Sequence, residues 1–319
     1  MPIRYFFGFL FLLSICSCTE EELTISPEAS DYLDEMIGVM QSNSINRNTI
    51  DWDDFRAQVY ERAGTAQRIE ELNGAIVQAL LLLGDNHSLL RRADGAFLSG
   101  SLLNCSAPDI GEVEVPEGIG YVRVQSFSGP SNAVAVSFAD DIQEQIRNAD
   151  TTGLRGWIVD LRGNPGGNMW PMLAGVGPLL GEGTAGYFIE PDSTESEWGY
   201  ASGNAYLNGN IIIRTSNPYT PLRSDYKVAV LLDEVVASSG EAIAIAFIGR
   251  PQTRSFGTPT CGQSTSNQGF NLRDGSTLFL TTAYMADRNR NVFGVPVPPD
   301  VPTSSPEETW QQALDYLQE

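Results

Sequence analysis

The apolar positions along this chain keep three rhythms. From Tyr5 to Ile15 they form one run behind a single Arg4, the pattern of an export signal and too short to span a bilayer comfortably as a helix. Next comes helical spacing. Leu33, Met36, Ile37 and Met40 predict a helix over 30–41 with acidic residues in its first turn, and Trp52, Phe55, Val59 and Tyr60 predict another over 51–63. A third covers 69–83 and stops at Gly84. These helices form a small N-terminal helical domain, residues 28–92. Gly, Ser, Pro and Asp then break the pattern, so 93–117 reads as a connector with room for one short strand. After Gly118 strands and helices alternate. Residues 120–124, 156–161 and 227–232 read as strands, and 133–148 as an amphipathic helix carrying Val134, Phe138, Ile142 and Ile146. Helices follow from Met169 and from Gly240, a late strand covers 277–281, and a closing helix over 307–318 starts behind Ser305-Pro306. That alternation predicts a largely parallel α/β core across 118–319.

Composition narrows the function. Of 319 residues 42% are apolar and 18% charged, enough for a sizeable core and unlike a disordered chain. The net charge of −21 disfavours nucleic-acid binding and electrostatic docking on anionic lipid. One histidine, His87, and one lysine, Lys227, exclude a multi-histidine zinc site, and nothing in the chain calls for a metal or another cofactor. The four cysteines form no C-x-x-C pair, and their spacing leaves open whether Cys105 and Cys261 are bridged. Ile15-Cys16-Ser17-Cys18 resembles a bacterial lipobox, with an aliphatic residue at −3 and a small one at −1 of Cys18. That resemblance implies a signal peptide over 1–17, acylation of Cys18, a tether over 18–27, and a protein anchored by lipid in the cell envelope. An ordinary signal peptide cut nearby would instead leave Cys18 a plain thiol.

Three turns could carry chemistry. Gly84-Asp85-Asn86-His87-Ser88 holds the histidine, although a lone histidine is more often structural. Asp160-Leu161-Arg162-Gly163-Asn164-Pro165-Gly166-Gly167 leaves a buried strand, and its glycines let backbone N–H groups face a substrate. Asp160 and Arg162 pair to brace it. Ala237-Ser238-Ser239-Gly240-Glu241 sits where a strand meets a helix, near unpaired N–H groups that favour a developing anion; a simple N-cap would look the same. Together they offer a nucleophile, a base and an oxyanion hole.

DLRGNPGG, VASSGE, GTPTCGQST and VPVPPD, in that order, resemble the C-terminal processing (tail-specific) serine peptidase family from about Tyr32 onward. The resemblance implies a ClpP/crotonase-like α/β core and cleavage of peptide bonds in unstructured polypeptides. It places the nucleophile at Ser238. Gln263 stands where the best-known branch has its lysine base, and Lys227 lies on a strand before Ser238, which argues against a Ser-Lys dyad. Asp85-Asn86-His87-Ser88 is similar to the histidine turn of the tricorn-like branch, so His87 is the expected general base. No PDZ domain fits between His87 and Tyr121. Ser239 and either Gly166 or Gly167 would supply oxyanion N–H groups. The tricorn-like branch has a glutamate where Phe293 stands here, which leaves Asp287 as the expected acidic partner of His87 and Glu241 as its rival. Asn86 would help position the site. An ordinary imidazole predicts activity rising through pH ~6–7. The competing reading is a catalytically decayed relative that binds a ligand or peptide; retention of both Ser238 and His87 opposes it.

Overall fold

The computed structural model describes residues 24–111 and 113–319; the signal reading of 1–17, Cys18 and the start of the tether lie outside them. The helical segment holds α1 (Pro27–Asn43), α2 (Trp52–Ala63), a short 3-10 turn (Ile69–Leu72) and α3 (Asn73–Leu82). A hairpin of β1 (Leu89–Arg91) and β2 (Phe97–Ser99) follows. The rest runs β3 (Ile119–Arg123), α4 (Asn132–Ala149), β4 (Gly156–Asp160), α5 (Met169–Leu180) and β5 (Gly183–Ile189). Then come β6 (Glu195–Ala201), β7 (Asn204–Leu207), β8 (Asn210–Arg214), β9 (Lys227–Leu232) and α6 (Ser239–Phe247). The chain closes with β10 (Thr253–Gly257), β11 (Thr265–Asn271), β12 (Thr277–Asp287), β13 (Val301–Pro302) and α7 (Pro306–Gln318).

One sheet is parallel throughout, in the order β13-β10-β9-β4-β3. Its central strands are apolar on both faces because both are covered. Trp157 and Val159 of β4, with Val228 and Val230 of β9, join the core under α4, α5 and α6. The alternate residues Ile158, Ala229 and Leu231 meet Ala313, Leu314 and Leu317 of α7 on the other side. Ser305 caps α7 by accepting from the Glu308 N–H, with Pro306 in the first turn as expected.

The expectation of a largely parallel core needs correction. A second, eight-stranded antiparallel sheet runs β2-β1-β12-β5-β6-β7-β8, with β11 on the other side of β12. Its strands are rich in Gly, Ser, Asn and aromatic residues, so the apolar count along them stays low. Local signals existed: Ser202-Gly203 and Asn208-Gly209 both take positive φ and close two-residue hairpins, as primed turns require.

The helical segment is not walled off from the rest. Its core of Tyr32, Leu33, Met36, Phe55, Ile76 and Leu80 continues into Leu90, Leu278 and Leu280 of the antiparallel sheet. The boundary expected between 92 and 93 falls inside the β1–β2 hairpin. Beyond that hairpin Cys105 is bridged to Cys261, with Cα atoms 5.5 Å apart, which ties the connector to the loop between β10 and β11.

Candidate active site

Ser238 ends the loop that leaves β9 and immediately precedes α6. Its backbone is held at φ +51°, a conformation that a residue with a Cβ rarely adopts without support from its surroundings. The support comes from Glu241, whose Oε2 accepts the Ser238 N–H at 2.9 Å. Glu241 Oε1 accepts from the Thr260 hydroxyl at 2.5 Å and the Gly262 N–H at 3.0 Å. Glu241 is wholly buried, and burial pushes its pKa up to about 7.

His87 arrives from the other side of the site, in the turn between α3 and β1. The Asp85 carboxylate accepts the N–H of His87 at 2.9 Å and the N–H of Ser88 at 2.7 Å, a local loop that aspartate forms readily. Ser88 pins the turn to β12 by accepting the Thr281 N–H at 3.0 Å. The ring then lies with Nε2 2.9 Å from Ser238 Oγ and Nδ1 2.7 Å from Thr265 Oγ1. With Nδ1–H donated to Thr265, the Nε2 lone pair faces the serine hydroxyl, the arrangement a general base needs. Only 7% of His87 is exposed, and burial lowers its pKa to about 4, well below the ~6–7 expected from the sequence.

The acid expected beside His87 is not there. Asp287 is fully buried at the end of β12, where its carboxylate accepts the N–H groups of Asn289 and Asn291 and the Asn291 amide at 2.8–3.0 Å. Its oxygens are spent closing that turn. Glu241, the rival, bonds the backbone of Ser238 rather than the imidazole. The group on Nδ1 is the Thr265 hydroxyl, which the sequence reading passed over. Its signal was the Ser264-Thr265 pair ending the GTPTCGQST motif. Gln263 does not replace a base either: its Nε2 donates to the Asn86 carbonyl at 2.8 Å and holds the histidine turn. The Asn86 side chain accepts the Leu102 N–H at 3.1 Å and so faces the connector.

The glycine turn lies against this pair. The Asp233 carboxylate accepts the Gly163 N–H at 2.9 Å, and the Asn164 carbonyl accepts the Ala237 N–H at 3.1 Å. These bonds zip the turn to the loop carrying Ser238. Asp160 and Arg162 form a buried pair through two N–H···O contacts of 2.7 and 2.9 Å. Gly166 is too close for any side chain: a Cβ there would stand 2.9 Å from Ser238 Cβ. Its N–H is already donated to Asn164 Oδ1 at 2.9 Å, which removes Gly166 from the oxyanion candidates. The N–H groups of Gly167 and Ser239 meet no protein acceptor among the described residues, and the Ser239 hydroxyl donates to the Gly167 carbonyl at 2.6 Å. A cleft of about 960 Å³ opens over these groups. Among the described residues no cluster of metal-ligating side chains occurs.

Residues 118–303 match the model of Peptidase family S41. The chain belongs to peptidase family S41. It is a serine-type peptidase, a hydrolase, related to the carboxyl-terminal-processing proteases. The nisin-resistance protein of Lactococcus lactis subsp. lactis is 25% identical over 282 residues, covering 88% of this chain and 85% of the relative. The carboxyl-terminal-processing protease of a Synechocystis strain is 24% identical over 213 residues, 63% of this chain but only 44% of that protein. Among solved structures, a lipoprotein from Streptococcus agalactiae superposes with a TM-score of 0.73 at 20% identity, covering 98% of this chain and 99% of the other. The photosystem II D1 C-terminal processing protease gives 0.54 at 17% identity, with 89% and 94% covered. These likenesses confirm the S41 peptidase fold, including helices before the α/β core.

Two expectations follow for this S41 peptidase. Thr265→Val leaves the buried Nδ1–H without a partner, which costs about 1–3 kcal/mol, or roughly 5- to 150-fold in kcat. Thr265→Ser should restore most of it, and steady-state kinetics beside a thermal melt will separate this from misfolding. The pH profile should also differ from that of an ordinary imidazole. Because burial disfavours imidazolium, kcat/KM should rise with pH through about 4, with no limb belonging to His87 at 6.5. An inflection near 7 belongs to Glu241 and should vanish in Glu241→Gln.

Proposed function

We propose that this chain is a membrane-anchored endopeptidase that cleaves unstructured polypeptides through an acyl-enzyme on Ser238, with His87 as general base. The observation that carries the reading is the 2.9 Å contact from Nε2 to Ser238 Oγ, with Nδ1 held 2.7 Å from the Thr265 hydroxyl, which can accept the Nδ1 proton and leave the Nε2 lone pair facing the serine. As Oγ attacks the carbonyl carbon, its proton passes to Nε2. The carbonyl oxygen takes the negative charge, facing the N–H groups of Gly167 and Ser239; one such donor is typically worth ~3 kcal/mol. Collapse breaks the C–N bond, and the leaving amine takes the proton back from Nε2. Water then attacks the ester, with His87 again accepting the proton, and collapse breaks the acyl C–Oγ bond while Ser238 Oγ takes that proton back.

Acylation of Cys18 would hold this chemistry at the surface of a membrane in the bacterial cell envelope. The lipobox-like Ile15–Cys18 sequence supports that placement, as does likeness to a streptococcal lipoprotein. No described helix is long and apolar enough to cross a membrane.

A fluorophosphonate probe should label the intact protein and not Ser238→Ala. That variant should lose turnover of an unfolded protein, and of any short peptide the wild type cleaves, nisin being one to try, while its melt moves by no more than ~2 °C. Continued cleavage would put the nucleophile elsewhere. Cys18→Ser should leave an unprocessed precursor that no longer fractionates with membranes; unchanged fractionation would end the anchoring proposal.

A further inference from the structure

The cleft is almost without charge, in a chain whose net charge is −21. Its walls are apolar or neutral, among them Met169, Trp170, Phe188, Leu207 and Met285, and of its lining residues Glu190 alone carries a charge at neutral pH. Strand register places the backbone of Glu190 relative to the chemistry. Thr265, which touches His87, pairs across to Tyr284, and Tyr284 pairs across to Ile189. Two strand spacings amount to roughly 10 Å, and Glu190 is the next residue. An extended polypeptide covers ~10 Å in about three residues.

Glu190 has a partner, but not enough of one. Arg47 Nη2 lies 3.4 Å from Glu190 Oε2 and also reaches Asp192 at 3.8 Å, so one cation faces two carboxylates. The Glu190 side chain is 44% exposed while that of Arg47 is 15% exposed. A net negative charge therefore stands at the rim of an apolar wall. A long aliphatic side chain with a cationic head matches both halves of that surface.

Resting on the serine-peptidase reading above, we propose that the cleft selects cationic polypeptides, with a lysine or arginine about three residues from the scissile bond. Its stem lies along Phe188 and Leu207 and its charge meets Glu190. The acidic surface adds long-range attraction for the same class of substrate.

The test is a peptide series on the full chain. A cleaved sequence is remade with lysine, Nε-acetyl-lysine or glutamate at each of five positions on either side of the bond, and kcat/KM is measured at ~0.05 and ~0.5 M salt. At one position about three residues away, lysine should exceed acetyl-lysine by about 3- to 5-fold, the upper range for a part-exposed pair. Glu190→Gln should bring that ratio towards one, Glu190→Lys should invert it in favour of glutamate, and Arg47→Gln should raise it by freeing the carboxylate. High salt should remove the general preference for positive charge more fully than the positional one. Equal rates for lysine and acetyl-lysine at every position in the wild type overturn the proposal without any variant. So does a preference that salt erases and Glu190→Gln leaves intact. Failure to cleave any peptide, with no labelling of Ser238, overturns the peptidase reading and this inference with it.

Discussion

The site depends on the hydrogen bonds that one short segment, Thr260 to Thr265, makes in two directions. Ser238 and His87 are 151 residues apart in sequence; one follows a strand of the parallel sheet and the other precedes a strand of the antiparallel sheet. Thr260 and Gly262 hold Glu241, which in turn holds the Ser238 N–H. Gln263 and Thr265 hold the Asn86 carbonyl and the His87 ring. The segment leaves the parallel sheet at β10 and enters the antiparallel sheet at β11, so the same residues that join the two sheets set the distance between the two reacting side chains. Cys261, in the middle, is bridged to Cys105, and the connector beyond the histidine turn is thereby secured to the same strap.

This support has a physical purpose. Ser238 sits at positive φ, Gly166 and Gly167 sit at φ +103° and +115°, and no side chain could fit between Gly166 and the serine. Strained backbone of this kind persists only when the surroundings over-determine it. Here a buried carboxylate that forms no ion pair among the described residues does much of that work. Glu241 accepts from two backbone N–H groups and a hydroxyl, and its raised pKa records the cost of holding it dry.

As the proposed base, His87 is organised differently from the histidine of a Ser-His-Asp triad. A threonine hydroxyl can orient the imidazole, but it donates as readily as it accepts and carries no charge with which to stabilise imidazolium. Burial adds to that by disfavouring the protonated ring, and the result is a histidine that stays neutral over the whole physiological range. In the proposed mechanism, proton transfer from Ser238 therefore leans on the oxyanion donors, because the energy of the charge pair formed in the transition state has to be recovered on the oxygen side. Withdrawal of the Gly166 N–H into Asn164 concentrates that role on Gly167 and Ser239.

The helices, strands β3, β4 and β9 of the parallel sheet and the family resemblance are legible in the sequence. Each of these is written locally: apolar spacing at 3.6 residues in 27–43 and 132–149, unbroken apolar runs at 157–159 and 228–232, and glycine- and serine-bearing turns that follow closely behind. Ser238 and His87 stood out for the same reason, since each lies in a short motif. The antiparallel sheet was written more faintly, in two paired hairpin turns among polar residues. Pairing at long range is settled by the folded chain alone. Which group meets Nδ1 depends on β11 lying beside the histidine turn, and Thr265 is 178 residues from His87. Asp287 looked eligible because acidic residues near the motif are scarce, yet an aspartate followed by Asn289 and Asn291 satisfies its own turn first. The His87 pKa was equally out of reach, because an imidazole keeps its ordinary value in water and loses it only when the fold takes the water away.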